Sequence, residues 1–366
     1  MMKALLSTAL TALILLTVTL PMSFAGEIGV YNSFLAAGSS INTATANSML
    51  VLDDGLLSMW SNPAGMIVDR HQIYADGTIS GAYSTQSKVN SSGAQAGVGM
   101  IGYLYSFSSS VFALGYAPRN VLNASADFNR VGEIRNSQSY SEITASYARR
   151  FGRGLSAAIS AGPIIGKGKT GAIINPADRD TLYSPQLWFV RIGIKQKYEI
   201  VSWAVSVETP AMGKFTVERP INVGYQRNKI DIDYSGALGL RAGVGWDLGR
   251  FGIETDVLYY NMDMVEVDGE GAEFESSLMS AGVAGKMQIN ETIGLRTGLR
   301  MRFQDPNDQT FAQFGFGGSY ILSPELTAYG SFGMMFPTGD ATDTMLSGDL
   351  RPMTVRLGII YHSEPE

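Results

Sequence analysis

The chain has no cysteine and only two histidines, and these absences exclude several classes of protein. Without cysteine it forms no disulfide, so it cannot be one of the small exported scaffolds that disulfides hold together. A hydrolase would need a nucleophile and a base, which is usually histidine. His71 and His362 lie at opposite ends of the strand region described below, and the sequence has neither a metal-ligand cluster nor a glycine-rich loop leading into a helix. The sequence therefore predicts no enzymatic activity and no cofactor or metal site.

Charge and long apolar runs are also scarce. Charged residues make up 16% of the chain, which is low for a soluble domain, and the net charge of -6 argues against a nucleic-acid partner. Beyond the N-terminus, the sequence lacks an apolar run of the roughly 18 residues that a transmembrane helix needs. Glycine, with 42 residues, and the aromatics, at 10%, are abundant. This combination is typical of an outer-membrane β-barrel.

The N-terminus indicates export. Lys3 supplies a positive charge, residues 4–20 are apolar, and Ser23-Phe24-Ala25 forms a small-x-small cleavage site. We therefore predict a signal peptide over residues 1–25. The absence of cysteine means that no lipid can be attached at the new N-terminus.

Alternation of apolar and polar residues is the main secondary-structure signal. In residues 236–248, apolar residues occupy every second position, and a tight turn at Gly249-Arg250 leads into a second alternating segment. That turn pairs Leu248 with Phe251, so apolar residues face apolar residues across the hairpin. This is the period-two pattern of strands with one face in lipid.

Fourteen such segments follow one another, and short turns alternate with longer loops, as in outer-membrane barrels. A soluble β-sandwich would also alternate, but many of these strands reach the ten or so residues that cross a membrane at a tilt. Residues 221–230 could form a further strand, and we place them in the loop 210–235 because counting them would break the alternation. The predicted fold is an all-β transmembrane antiparallel barrel of fourteen strands, with twelve or sixteen as alternatives.

One segment before the first strand has a distinctive composition. Two aspartates are followed, after seven intervening residues, by Asn-Pro-Ala-Gly, in which the proline favours a turn and the small residues permit close packing. Together with the fourteen strands, this segment resembles the FadL family of outer-membrane transporters. The residues that carry the resemblance are Asp53, Asp54, Asn62, Pro63, Ala64 and Gly65.

The resemblance implies an N-terminal hatch in the barrel lumen and a specific function. Residues 26–71 would form the hatch, residues 72–362 the barrel, and residues 363–366 a short tail. The expected function is passive uptake of hydrophobic molecules, such as long-chain fatty acids or hydrocarbons, with lateral release into the membrane. The expected partners are the hydrophobic molecule, membrane lipid and the outer-membrane assembly machinery, in a diderm bacterium. Two alternatives stay open: a barrel of this family that serves as a docking platform in secretion or surface attachment, and a porin for polar solutes.

Charged residues gather on the predicted inner face of four strands. They are Arg241, Glu254, Asp256, Lys286, Arg296, Arg300 and Arg302. The hairpin register places Arg241 diagonal to Asp256, within reach of an ion pair. The next turn sets Lys286 opposite Arg296, and these like charges need an acidic neighbour or an anionic ligand. We predict either an internal ion network or a ligand carboxylate bound by Arg296 or Arg300.

The third predicted strand, 109–118, ends at Gly115-Tyr116-Ala117-Pro118. Proline removes a ladder donor and is confined to strand ends and edges. A break in pairing here would open the lateral gap that the resemblance implies, whereas ordinary entry into a loop is the alternative. Many glycines also fall on the inner face, which a hatch, a ligand or barrel curvature would each explain.

Overall fold

A computed structural model describes residues 43–48, 50–83, 92–128, 132–173, 181–220, 227–261, 266–267, 270–271, 278–304, 309–337 and 351–364. The predicted signal peptide, residues 26–42 of the predicted hatch and the tips of several predicted loops lie outside these residues. Within them, no helix combines the length and the apolar character that crossing a membrane would require.

The structure is built almost entirely from antiparallel strands. They are His71–Tyr83 (β1), Ser92–Phe107 (β2), Ser110–Phe128 (β3), Gly132–Arg150 (β4), Leu155–Ile173 (β5), Thr181–Lys197 (β6), Val201–Glu208 (β7), Met212–Pro220 (β8), Arg227–Ser235 (β9), Leu238–Asp247 (β10), Phe251–Asn261 (β11), Glu266–Val267 (β12), Glu270–Gly271 (β13), Leu278–Gln288 (β14), Ile293–Gln304 (β15), Gln309–Ser323 (β16), Leu326–Pro337 (β17) and Arg351–Ser363 (β18).

Fourteen of these strands close into a barrel. The ring runs from β1 to β7, continues through β10, β11 and β14 to β18, and closes where β18 pairs with β1 from His71↔Ser363 to Tyr83↔Arg351. The predicted barrel and its fourteen strands are therefore confirmed. β8 continues the course of β7 along β6, and β9 leads into β10 in the same register, so the β8–β9 hairpin extends the wall and leaves the number of strands at fourteen.

The two faces of the ring differ as the alternation predicted. Leu114 in β3 is half exposed, whereas Ala113 beside it is fully buried. The same contrast recurs around the ring, with large apolar side chains on the outside and small or polar ones on the inside. The outward apolar residues include Ile73, Tyr103, Leu114, Ile192, Trp203, Val257, Leu299 and Leu357. Such an outer band suits contact with lipid.

One side of the barrel is taller than the sequence predicted. Strands β3, β4 and β5 have 19 residues each, whereas β14 has 11 and β15 has 12. The expectation that 119–138, 166–184 and 210–235 are loops was therefore wrong over most of their length. The third strand also does not end at Pro118 but continues to Phe128. Pro118 lies where β3 has lost its partner β2, and such unpaired edges tolerate proline.

The ladder between β2 and β3 is unusually short. It runs from Phe107↔Ser110 to Ile101↔Tyr116 and stops there, although both strands continue well beyond. β3 meanwhile pairs with β4 up to Phe128↔Gly132, and β2 pairs with β1 up to Tyr83↔Ser92. Among the described residues, the parts of the two strands that lie toward the long loops, 92–100 of β2 and 117–128 of β3, therefore face each other without ladder pairing.

Candidate functional site

Residues 43–68, here called the N-terminal segment, lie against the inner face of the barrel over the part the structure describes. Two short 3-10 helices, Leu56–Trp60 and Pro63–Met66, form its centre, and every residue of both is buried. Leu56, Met59 and Trp60 share one apolar cluster with residues of β2 and β3, including Met100 and Val111. The main apolar core of the protein thus lies between this segment and the wall.

The two predicted aspartates tether the segment to well-separated parts of the wall. Asp53 forms an ion pair with Arg296 of β15, and its carbonyl oxygen accepts a hydrogen bond from Lys195 of β6 at 3.0 Å. The carboxylate of Asp54 lies 2.6 Å from the Lys195 ammonium and 3.3 Å from that of Lys197. Burial alone would raise the pKa of Asp54, but these two ammonium groups outweigh it and hold the pKa below its usual value.

The Asn-Pro-Ala-Gly residues dock on β5 and β6. The Asn62 side chain accepts a hydrogen bond from the Ala64 N–H at 3.1 Å, which caps the second short helix, and donates one to the Ile194 carbonyl at 3.2 Å. Ser156 of β5 donates to the Ala64 carbonyl at 2.8 Å. A side chain on Gly65 would come within 2.7 Å of the Ser58 hydroxyl, so the small residue permits this packing. The resemblance singled out these residues, and here they serve as a dock between segment and wall.

Inner-face glycines provide the room for the segment. A Cβ atom on Gly298 would collide with the backbone of Thr45, and one on Gly315 would collide with the Thr43 carbonyl. Because backbone cannot move aside as a flexible side chain can, these two positions require glycine for the segment to lie where it does. The segment thus accounts for close approach at these glycines.

Glu254 of β11 holds the segment by its backbone. Its carboxylate accepts hydrogen bonds from the N–H groups of Leu50, Val51 at 2.7 Å and Leu52 at 2.8 Å, and its side chain is fully buried. These three consecutive N–H groups lie outside any strand, so none of them is paired in a strand ladder. One carboxylate therefore satisfies three buried backbone groups, which would otherwise be costly to bury.

One buried cluster consists of Arg241, Arg300 and Asp256. It includes the contact between Arg241 and Asp256 that the hairpin register predicted. Arg241 lies 2.6 Å from one Asp256 oxygen, and Arg300 lies 2.6 Å from both. Each arginine also donates to the carbonyl of Asn47, and Arg300 reaches the Ala46 carbonyl at 3.2 Å. The guanidinium groups of Arg296 and Arg300 thus bond to groups of the protein itself.

The other two predicted cations are bound more loosely. The register sets Lys286 opposite Arg296, as expected, and Lys286 lies 3.2 Å from Asp247. Arg302 follows Arg300 by two residues in β15 and is partly buried. It donates a hydrogen bond to the Gln313 amide oxygen at 3.0 Å. Among the described residues, its hydrogen-bond partner is thus a neutral amide and not a carboxylate.

A second ion network on the opposite wall was not predicted. Arg119 of β3 lies 2.5 Å from Glu142 and 2.8 Å from Glu208, and Arg191 of β6 lies 2.5 Å from Glu208. Both guanidinium groups lie over the ring of Phe189, at 4.6 and 5.1 Å from its centre. Arg191 also donates to the Met59 carbonyl at 3.1 Å. Alternation could have placed Arg191 and Glu208 on the inner face, but Arg119 fell in a predicted loop.

The architecture matches solved outer-membrane channels along almost their whole length. The monoaromatic hydrocarbon channel CymD superposes with a TM-score of 0.65 at 11% identity, covering 92% of this chain and 99% of CymD. The toluene transporter TodX of Pseudomonas putida gives 0.64 at 12% identity, with 90% and 99% covered. A FadL homologue of Pseudomonas aeruginosa gives 0.62 at 10% identity, with 92% and 99% covered.

The chain has the fold of the FadL-type channels. No protein-family model and no curated protein matches the sequence. At these identities the likeness establishes the FadL-type fold alone.

Within this FadL-type barrel, an apolar cluster lies above the second ion network. Tyr140, Ile164 and Leu187 line the inner face there, next to Phe189. Phe215, from the β8–β9 hairpin, packs its ring against Tyr140 at 6.4 Å between centres. Phe215 therefore extends this apolar cluster on the side of the long loops.

Proposed function

We propose that the protein is an outer-membrane channel for passive uptake of hydrophobic molecules, with the N-terminal segment as its hatch. The observation that carries the proposal is the joint presence of a segment tethered to several strands on the inner face of the barrel and a wall whose β2–β3 ladder stops halfway. A segment that closes the lumen would prevent the leakage of polar solutes, and an interrupted wall suits a cargo that prefers lipid. The fold likeness to CymD and TodX, whose names describe hydrocarbon and toluene transport, supports the same cargo class.

The route would begin at the apolar cluster of Tyr140, Ile164, Leu187 and Phe189. A hydrocarbon or acyl chain gains free energy by leaving water for such a surface, at about 25 cal/mol per Å² of apolar area. For a ligand with a carboxylate, Arg302 is the better candidate of the predicted cations, because its described partner is an amide, whereas Arg296 and Arg300 are paired with aspartates. We therefore move the predicted carboxylate contact to Arg302.

The exit would lie between β2 and β3, above the last ladder pair Ile101↔Tyr116. Gly115, Tyr116 and Pro118, the residues predicted from sequence, lie at this level of β3. A gap here would connect the lumen to the lipid, and the outward apolar side chains near it, such as those of Val98 and Tyr116, suit a hydrophobic cargo. Cargo would then leave sideways without crossing the hatch.

A cross-link across the gap tests the exit. Val98→Cys on β2 and Tyr116→Cys at the edge of the gap on β3 would place one thiol on each of the two strands that border it, in a chain that has no other cysteine. Joining them with a short bismaleimide should abolish uptake of radiolabelled toluene or a long-chain fatty acid by cells. The matched control joins Tyr103→Cys and Leu114→Cys, which are lipid-facing partners within the intact ladder. Equal uptake by both cross-linked proteins would refute lateral release.

Co-purified cargo and conductance test the channel itself. Native mass spectrometry and lipid extraction of the detergent-purified protein should reveal a fatty acid or hydrocarbon. In planar bilayers the wild type should conduct poorly, and deletion of residues 26–65 should open it, with Pro63→Gly as the milder variant. An empty barrel whose conductance is unchanged by the deletion would refute the hatch and would favour the docking platform.

A further inference from the structure

The β2–β3 ladder stops next to an irregularity in β2. On the other side of β2, the pairing with β1 shifts between Ala75↔Ile101 and Gly77↔Val98. Two residues of β2, Gly99 and Met100, therefore face the single residue Asp76 of β1. This is a β-bulge, which leaves a ladder group unpaired, bends the bulged strand and increases its twist. The last residue of β2 that pairs with β3, Ile101, directly follows the bulge.

Asp76 fills the bulge with its carboxylate, which is buried. One oxygen accepts the Met100 N–H at 2.5 Å, and the other accepts the Tyr74 hydroxyl at 2.6 Å, with Arg356 of β18 at 3.5 Å. The carboxylate occupies the space that a side chain at position 99 would need, so Gly99 is required for this arrangement. The Asp76 side chain thus accepts the hydrogen bond of the Met100 N–H, which in a regular ladder would go to a backbone carbonyl of β1.

The facing strand has a matching irregularity. The β3–β4 register shifts between Pro118 and Asn120, which leaves Arg119 as the extra residue. Arg119 is buried and bound by Glu142 and Glu208. Both strands that border the gap therefore bulge at the level where their mutual pairing ends.

We propose that Asp76 is a positioning residue that keeps the lateral gap open by holding the Met100 N–H in the bulge of β2. The role rests on the proposed lateral release, but its structural part can be tested separately. Without the acceptor, the buried Met100 N–H loses its partner, so the bulge is no longer held in its bent form. A less bent β2 lies closer to β3, and the ladder extends past Ile101.

Distances between spin labels measure this change directly. Labels at Val98→Cys on β2 and Ile143→Cys on β4 span the gap, and both positions face lipid. Labels at Tyr103→Cys and Ala145→Cys span the intact ladder through Leu114 and should not move in any variant. We expect Asp76→Ala to shift the first distance to shorter values and Asp76→Asn, which keeps an acceptor oxygen, to leave it unchanged.

Gly99→Ala tests the same contact from the other strand, and it does so without removing the partner of Arg356. The added methyl displaces the carboxylate from the Met100 N–H, so the same shortening is expected. Folding of each variant is checked by the heat-dependent shift of its band on a denaturing gel. A folded Asp76→Ala or Gly99→Ala protein with the wild-type distance overturns the proposal.

Uptake of radiolabelled toluene in the same variants separates the two ideas. A shortened distance with reduced uptake supports both. A shortened distance with full uptake keeps Asp76 as the positioning residue but refutes lateral release. An unchanged distance overturns the role of Asp76 whatever the uptake.

Discussion

Replacing Glu254 with alanine is the sharpest single test of how the N-terminal segment is held. The substitution removes the acceptor of three buried backbone N–H groups, those of Leu50, Val51 and Leu52. An unsatisfied buried donor costs about 1–3 kcal/mol, so the docked segment loses about 3–9 kcal/mol if nothing replaces the carboxylate. Because every 1.4 kcal/mol is a factor of ten, even the lower figure raises the undocked fraction by about 100-fold.

Glu254→Gln provides the graded comparison. Its remaining carbonyl oxygen can still accept from Leu50 and Val51, whereas Leu52 would lose its acceptor, so an intermediate loss is expected. Thr255→Ala, on the lipid-facing side of the same strand, is the matched control. Docking is measured by protease cleavage within residues 43–68, and channel opening by conductance in planar bilayers. If Glu254→Ala is as protected as the wild type, the carboxylate does not hold the segment and our energetic reasoning is wrong.

Three further perturbations probe other contacts of the segment. Gly298→Val should expel it, because the side chain would overlap the backbone of Thr45; wild-type protease protection would contradict this. Trp60→Ala should lower thermal stability by about 3–5 kcal/mol, since the side chain is buried in the main apolar cluster, and an unchanged melting curve would count against it. The pKa of Asp54 is lower in the folded state than its value of about 4 in the unfolded chain. Its ion pair with Lys195 therefore stabilises docking above about pH 4, and this stabilisation is lost as the pH falls further. Protection should therefore decline in acid, and less so in Asp54→Asn.

Much of the barrel could be predicted because alternation is a local signal. Leu248 and Phe251 flank a short turn, and such turns fix the register of a hairpin without reference to the rest of the chain. The fourteen-strand ring followed from counting these hairpins. The same reasoning placed 210–235 in a loop, which was wrong, because β8 and β9 extend β7 and β10; the count stayed at fourteen since an extension adds no strand to the ring.

Contacts between distant parts of the chain were harder to predict. Asp53 and Arg296 are separated by 243 positions, and only the closed barrel brings them together. Arg119 was missed because Pro118 appeared to end the third strand, although an unpaired edge tolerates proline. Asp76 gave no signal at all, since a bulge depends on the register of two strands and not on one residue type.

The uneven strand lengths give the barrel a wall of unequal height around its circumference. At about 3.3 Å per residue, the 19-residue strands β3, β4 and β5 are about 60 Å long, whereas the 11-residue β14 is about 36 Å long. Because 9–11 residues are enough to cross the membrane, roughly half of each tall strand stands outside it. An antibody or bacteriophage approaching from the medium would therefore first meet the outer halves of β3, β4 and β5. Epitopes grafted near the outer ends of these strands would report surface exposure while leaving the lower, lipid-embedded wall untouched.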